Sequence, residues 1–180
     1  ELIEISKKAT VPVLKTSSNK VIDESLDIMM WSLERSNMSM LLSNNYDKSQ
    51  EVFSLIETND KVFKYHLDRF KYASRFNAEE SKNHQGACMK ILLYLNERLK
   101  EFSNKGKPLF LVDARESLAD WAIWPFVRQF RIADINNFDQ NNEIKFLKIW
   151  LNYFFTHQKY KLVMKKYTPW SKQNKPVIIG

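Results

Sequence analysis

Two short stretches hold residues whose types and spacing suit chemistry. In "VIDES" (Val21–Ser25), Glu24 and Ser25 stand where a helical repeat begins. A serine there can cap free amides, and the positive end of a helix dipole attracts anions. Upstream, Pro12 interrupts the β-prone run Val11–Leu14. A proline cannot donate to a sheet ladder, so this backbone suits an edge better than the interior of a sheet. Taken alone, Glu24-Ser25 also fits an ordinary helix cap. The second stretch, "ESLADWAIWPFVRQF", places Asp120 three residues after Ser117. That is a capping-box spacing with Asp in place of Glu or Gln, so Ser117 and Asp120 read as structural.

Other reactive side chains give weaker signals. Cys88 is the only cysteine, which excludes an internal disulfide and fits a reducing compartment. Its mid-helix position reads as core. His66, His84 and His157 are far apart in sequence without metal-ligand spacing, so no metal is expected. Asp68 and Arg69 beside His66 read as surface charges. Trp121, Trp124 and Trp150 read as core.

These residues need elements to hold them. Val11–Leu14 and Lys20–Ile22 are short strand candidates, and "KTSSN" between them has turn composition. From Glu24, Leu26, Met29, Met30 and Leu33 fall on one helical stripe. The Asn/Ser-rich stretch around 37–48 reads as a linker. Beyond it the pattern is helical: a stripe opening with Val52, Leu55 and Ile56, then Val62–Phe76, Gln85–Phe102, Ser117–Arg131, Glu143–Thr156 and Gln158–Tyr167. "NKGKP" breaks the third of these, Pro125 is expected to kink the fourth, and the last residues read as extended. The fold class is therefore α+β, mostly α.

The chain of 180 residues carries 28 Lys and Arg against 21 Asp and Glu, a net charge of +7. The basic residues are scattered rather than blocked, so nucleic acid is not the expected partner. No apolar run approaches the ~20 residues of a membrane span, and no signal peptide is visible at "ELIEISKK".

"VPVL", a turn and "VIDES", followed by "SLADWAIWPFVRQF", together resemble the glutathione transferase family. The stretches "ATVPVL", "VIDESLDIM" and "HLDRFKY" bring the bacterial type nearest. The resemblance implies a remnant of a thioredoxin-like, glutathione-binding domain at 1–36, a linker at 37–48 and an all-helical domain at 49–180. It implies a cis bond before Pro12, with the exposed Val11 backbone pairing with the cysteinyl backbone of glutathione. Ser25 would bind the γ-glutamyl carboxylate, Glu24 the γ-glutamyl ammonium, and Lys8 would reach the glycyl carboxylate. Phe63, Tyr65 and Tyr72 would line the site of a hydrophobic electrophile. The thiolate-stabilising residue is expected upstream of Glu1, so none is assigned, and the enzyme question stays open for the chain as it stands. The family further implies a cytoplasmic homodimer with glutathione as substrate. A non-catalytic protein of the same fold, resembling the stringent-starvation proteins that bind RNA polymerase, is the alternative.

Overall fold

The computed structural model describes residues 2–36, 38–42, 45–76, 80–103, 109–169 and 171–178. The break expected at 104–108 lies outside them. A single helical turn, α1 (Leu2–Ile5), precedes a two-stranded hairpin of β1 (Leu14–Lys15) and β2 (Val21–Ile22). The strands are antiparallel, with Leu14 opposite Ile22 and Lys15 opposite Val21. Their turn closes through the Thr16 amide on the Lys20 carbonyl at 2.9 Å and the Asn19 amide on the Thr16 carbonyl at 3.0 Å. Asn19 takes φ 63°, a left-handed conformation that asparagine tolerates better than most residues.

The helix α2 (Ser25–Arg35) follows directly. It buries Leu33 and packs Leu26, Met29 and Met30 against the core, the stripe expected from sequence. Within 37–48 a 3₁₀ turn covers Ser39–Leu41, Leu41 is buried, and α3 (Tyr46–Thr58) begins. The Asn45 side chain sets that start by accepting from the Lys48 amide at 3.1 Å. The polar residues that read as linker include this cap.

A π turn at Asn59–Phe63 joins α3 to α4 (Lys64–Lys71) without a loop. The long α5 (Ser81–Glu101) packs on α4 and α8. The central α6 (Leu118–Ala133) runs through Pro125 and buries Leu118, Ala119, Asp120, Ile123, Trp124, Val127 and Phe130. A short α7 (Ile135–Gln140), not evident in the sequence pattern, leads to α8 (Lys145–Thr156) and α9 (Gln158–Val163). The continuation of α9 to Tyr167 fails: its last carbonyls are met by the Met164 and Lys165 amides, and the chain beyond is extended.

Two buried polar side chains tie the helices together. Asp120 accepts from the Leu111 amide at 2.9 Å, the Trp150 indole at 2.8 Å, and the Ser117 amide and hydroxyl at 2.9 and 2.6 Å. The expected capping box is present. The same carboxylate also fastens the loop before α6 and the middle of α8. Asn96, on the buried face of α5, accepts from the Phe146 and Leu147 amides at 2.9 and 3.1 Å. It thereby caps α8, which has no side-chain cap of its own. Among the described residues no helix is long and apolar enough to cross a membrane.

Candidate functional site

Lys8, Asp23, Glu24 and Ser25 meet where the hairpin turns into α2. Glu24 is the N-cap residue, with extended backbone (φ −110°, ψ 134°), and its side chain makes no cap hydrogen bond. The first helical bond runs from the Ile28 amide to the Glu24 carbonyl at 3.0 Å. The amides of Ser25, Leu26 and Asp27 therefore precede the hydrogen-bonded ladder, as at any open helix N-terminus. Ser25 is exposed beside them.

The Glu24 carboxylate is paired with the Lys8 ammonium, which also reaches Asp23 at 3.4 Å. The hydrogen bond to Glu24 raises the Lys8 pKa. Asp23 accepts from the buried Ser6 hydroxyl at 2.7 Å. That bond, with Lys8 adding to it, holds the Asp23 carboxyl below its ordinary value. Three residues after Lys8, Val11 is 79% exposed and its peptide bond to Pro12 is cis. The Val11 backbone groups have no partner among the described residues, because strand pairing begins only at Leu14. Ala9, between them, takes φ 53°.

Of the aromatic residues expected at an electrophile site, Phe63 needs correction, while Tyr65 and Tyr72 are exposed. Phe63 is only 1% exposed and packs against Phe130 at a ring distance of 6.2 Å, so it offers no face to a ligand. Tyr65 lies under the Arg69 guanidinium at 3.5 Å, and Tyr72 faces Lys71 and Arg75 at 4.8 Å each. Neither tyrosine lines the apolar cavities described next.

Two apolar cavities, of about 370 and 340 Å³, share Met38, Leu41, Trp121 and Lys159 in their walls. One extends along α2 past Ile28, Met29 and Leu33. The other is floored by Phe110, Glu116, Tyr153 and His157. There Glu116 accepts from the Trp121 indole at 2.6 Å and from the Tyr153 hydroxyl, with His157 at 3.9 Å. Burial and the neighbouring carboxylate push the Tyr153 phenol up. Trp121 is thus a cavity wall as well as a core residue. The signal in sequence was an indole one turn from a capped helix start, five residues after an acid.

The histidines also differ from expectation. His66 on α4 and His84 on α5 bring their Nδ1 atoms to 2.8 Å, although they are 18 residues apart. Sequence spacing misses this because the contact is made by helix packing. Among the described residues no group of three or more His, Cys, Asp or Glu side chains is arranged to hold a metal ion. Cys88 is fully buried, and burial pushes its thiol up to about 12. It is not an available thiolate.

No protein-family model matches the sequence, and no curated protein matches it. Solved structures do match. The chain is similar to Ure2p in complex with glutathione, with a TM-score of 0.74 at 14% identity, covering 90% of this chain and 78% of that one. It is similar to a glutathione S-transferase from Rhodospirillum rubrum F11, with a TM-score of 0.72 at 16% identity over 93% and 76% of the two chains. Glutathione transferase Omega 3C from Trametes versicolor gives a TM-score of 0.72 at 18% identity over 93% and 72%.

Proposed function

The chain has the glutathione transferase fold, and from that premise we infer that it binds glutathione through Val11, Glu24 and Ser25. The observation that carries the reading is the open α2 N-terminus, whose exposed serine adjoins a carboxylate already engaged with an ammonium. In this reading 1–36 is the glutathione-binding part, 37–48 the connection and 49–180 the helical domain. Glutathione recognition by Ure2p supports it by analogy of fold.

The γ-glutamyl head of glutathione is a zwitterion. Its carboxylate would take the Ser25 amide and hydroxyl, where the helix dipole favours an anion. Its ammonium would take Glu24. Lys8 now occupies Glu24, so binding exchanges partners: the ligand ammonium replaces Lys8, and Lys8 is released toward a ligand carboxylate. The unpaired Val11 backbone would add a strand-like pairing to the cysteinyl residue. The chemistry that follows is conjugation of the thiol to a hydrophobic electrophile, or thiol-dependent reduction. Cys88 has no part in it, and no residue of the chain is assigned to lowering the thiol pKa. A two-fold homodimer completes the reading.

Calorimetry with reduced glutathione tests it. Ser25→Ala keeps the amide and dipole, so it should weaken binding by about 0.5–1.5 kcal/mol, the worth of one hydrogen bond. Glu24→Gln should weaken it further, with a difference that shrinks in high salt. Equal binding by wild type and Glu24→Gln would misplace the site. A folded wild type that binds no glutathione would favour the non-catalytic alternative, a partner-binding protein of this fold.

A further inference from the structure

We propose that the outer face of α4 and the turn after it, residues 64–76, binds single-stranded nucleic acid, with its cations on the phosphates and its exposed rings against the bases. This does not rest on the glutathione reading.

Packing decides which side chains of "KYHLDRFKYASRF" face outward. Leu67 is buried and Phe70 packs on Phe130 at a ring distance of 5.4 Å, so that side of α4 belongs to the core. The other side leaves three rings open: Tyr65 is 47% exposed, Tyr72 37% and Phe76 48%. Cations alternate with them. The Arg69 guanidinium lies 3.5 Å from the Tyr65 ring centre and 4.9 Å from that of Phe76, and Lys71 and Arg75 each stand 4.8 Å from that of Tyr72. Basic residues that look scattered along the chain are gathered here by the helix and its turn: Lys64, Arg69, Lys71 and Arg75, against the one acid Asp68.

These cations are not neutralised. Arg69 donates to the Tyr65 carbonyl at 3.3 Å and Lys71 to the Gln129 side-chain oxygen at 3.0 Å, both uncharged acceptors. Among the described residues neither of them, nor Lys64 or Arg75, forms an ion pair, whereas Lys48, Lys61, Arg98 and Arg131 each meet a carboxylate. The acid at the start of α5, Glu80, approaches His84 at 3.9 Å. A guanidinium lying over a ring keeps N–H groups at its edge for a phosphate, and stacking on an aromatic face suits any base. Rings set between cations match a strand in which bases and phosphates alternate. An acidic peptide would leave the rings unanswered, and a duplex hides its base faces in its own stack.

Fluorescence anisotropy on the 180-residue chain tests this, with labelled oligouridylate and oligothymidylate of about twelve nucleotides as probes. Binding of either strand supports the proposal, and the tighter of the two names the sugar. Phosphate contacts from Arg69, Lys71 and Arg75 give a salt slope of about −2, so affinity should fall about twentyfold between about 50 and 200 mM salt. Arg75→Gln should reduce that slope by about 0.7. Lys71→Glu should raise the dissociation constant about tenfold, and Lys15→Glu, the same charge change on the exposed hairpin, less than about twofold. Tyr72→Ala should raise it at least about fivefold, while Tyr72→Phe, which keeps the ring, should leave it unchanged. No binding of either strand at the lower salt, equal affinity for a duplex or for a glutamate peptide of the same charge, an effect of Lys15→Glu as large as that of Lys71→Glu, or unaltered binding in Tyr72→Ala would each overturn the proposal.

Discussion

Replacing Asp120 with alanine removes the acceptor of four hydrogen bonds between 2.6 and 2.9 Å in a residue with no exposed surface. A lost helix cap alone costs about 0.5–2 kcal/mol. Here the cost is larger, because the Leu111 amide and the Trp150 indole are stranded with it, in two other segments. At about 1 kcal/mol for each bond, the sum is about 4 kcal/mol. Relief of carboxylate burial offsets part of that, while unsatisfied donors add to it. We expect a loss of about 3–5 kcal/mol, the range for breaking a buried charged contact on one side. For a chain of this size each kcal/mol moves the melting temperature by about 2–4 °C, so the midpoint should fall by roughly 10 °C. Urea unfolding followed by tryptophan fluorescence measures the loss directly, provided the slope with denaturant is unchanged. Asp120→Asn should cost less, about 2–3 kcal/mol, since one oxygen still accepts while the new amide meets the Ser117 amide head-on. Comparing wild type with Asp120→Asn across pH isolates the carboxyl. Burial pushes its folded pKa up, and the four donors pull against that. A raised folded pKa means the native state holds the proton more tightly. Wild type should then be favoured most below the ordinary value of 3.8, and lose that advantage as pH rises through the folded value. A loss under about 1 kcal/mol in Asp120→Ala would refute the argument that this carboxylate joins three segments.

Two further outcomes follow from the same physics. Asn96→Ala strands the Phe146 and Leu147 amides at the start of α8, and should cost about 2–3 kcal/mol in urea unfolding, whereas Asn96→Asp should recover most of it. Burial, helped by His84 and Arg69, lowers the His66 pKa below 6.5, so its neutral form favours the folded state above 6.5 and stability should fall as pH drops below that value. His66→Asn should flatten that slope, and proton NMR of the ring should show His66 less than half protonated at pH 6.5.

The parts of the fold legible in the sequence were those written by local rules. The stripe Leu26, Met29, Met30 and Leu33 follows helical periodicity, and the "KTSSN" turn follows turn chemistry. Ser117 and Asp120 could be paired from their spacing. What the sequence did not disclose depends on contacts between distant segments. Nothing local says that Asp120 also holds Trp150, thirty residues on, or that Asn96 caps a helix begun fifty residues later. One clue was present: Asn96 falls among Leu92, Leu95 and Leu99 on an apolar stripe, and a polar residue on such a face needs a partner. The misplacement of Phe63 has a similar origin. Aromatic content marks both a core and a ligand pocket, and only packing against Phe130 separates them. The 37–48 stretch did not show in its sequence that it holds the start of α3, because Asn and Ser are common in loops and also serve as caps, as Asn45 does.

The proposed glutathione site and an apolar space beside it share one side of α2, since Ser25 stands three, four and eight residues before Ile28, Met29 and Leu33. The N-terminus of α2 presents Ser25 beside Glu24, while Ile28, Met29 and Leu33 of the same helix form a wall of the apolar space shared with Trp121 and Lys159. An occupant that shifts α2 by part of a turn would alter both places, since a helix moves as a unit. Linkage then requires reciprocity: if an occupant of the apolar space changes the affinity for glutathione by some factor, glutathione changes the affinity for that occupant by the same factor. The helix is held at its other end by Leu33 in the core, and at its start by the buried Ile22, the Ser6–Asp23 hydrogen bond and the exposed Lys8–Glu24 pair. An exposed ion pair is a weak restraint, worth little against the apolar contacts at the far end. Of these restraints, the Lys8–Glu24 pair is the one that a ligand drawing Lys8 away would release. That places any coupling between the two sites at Glu24 rather than in the helical core.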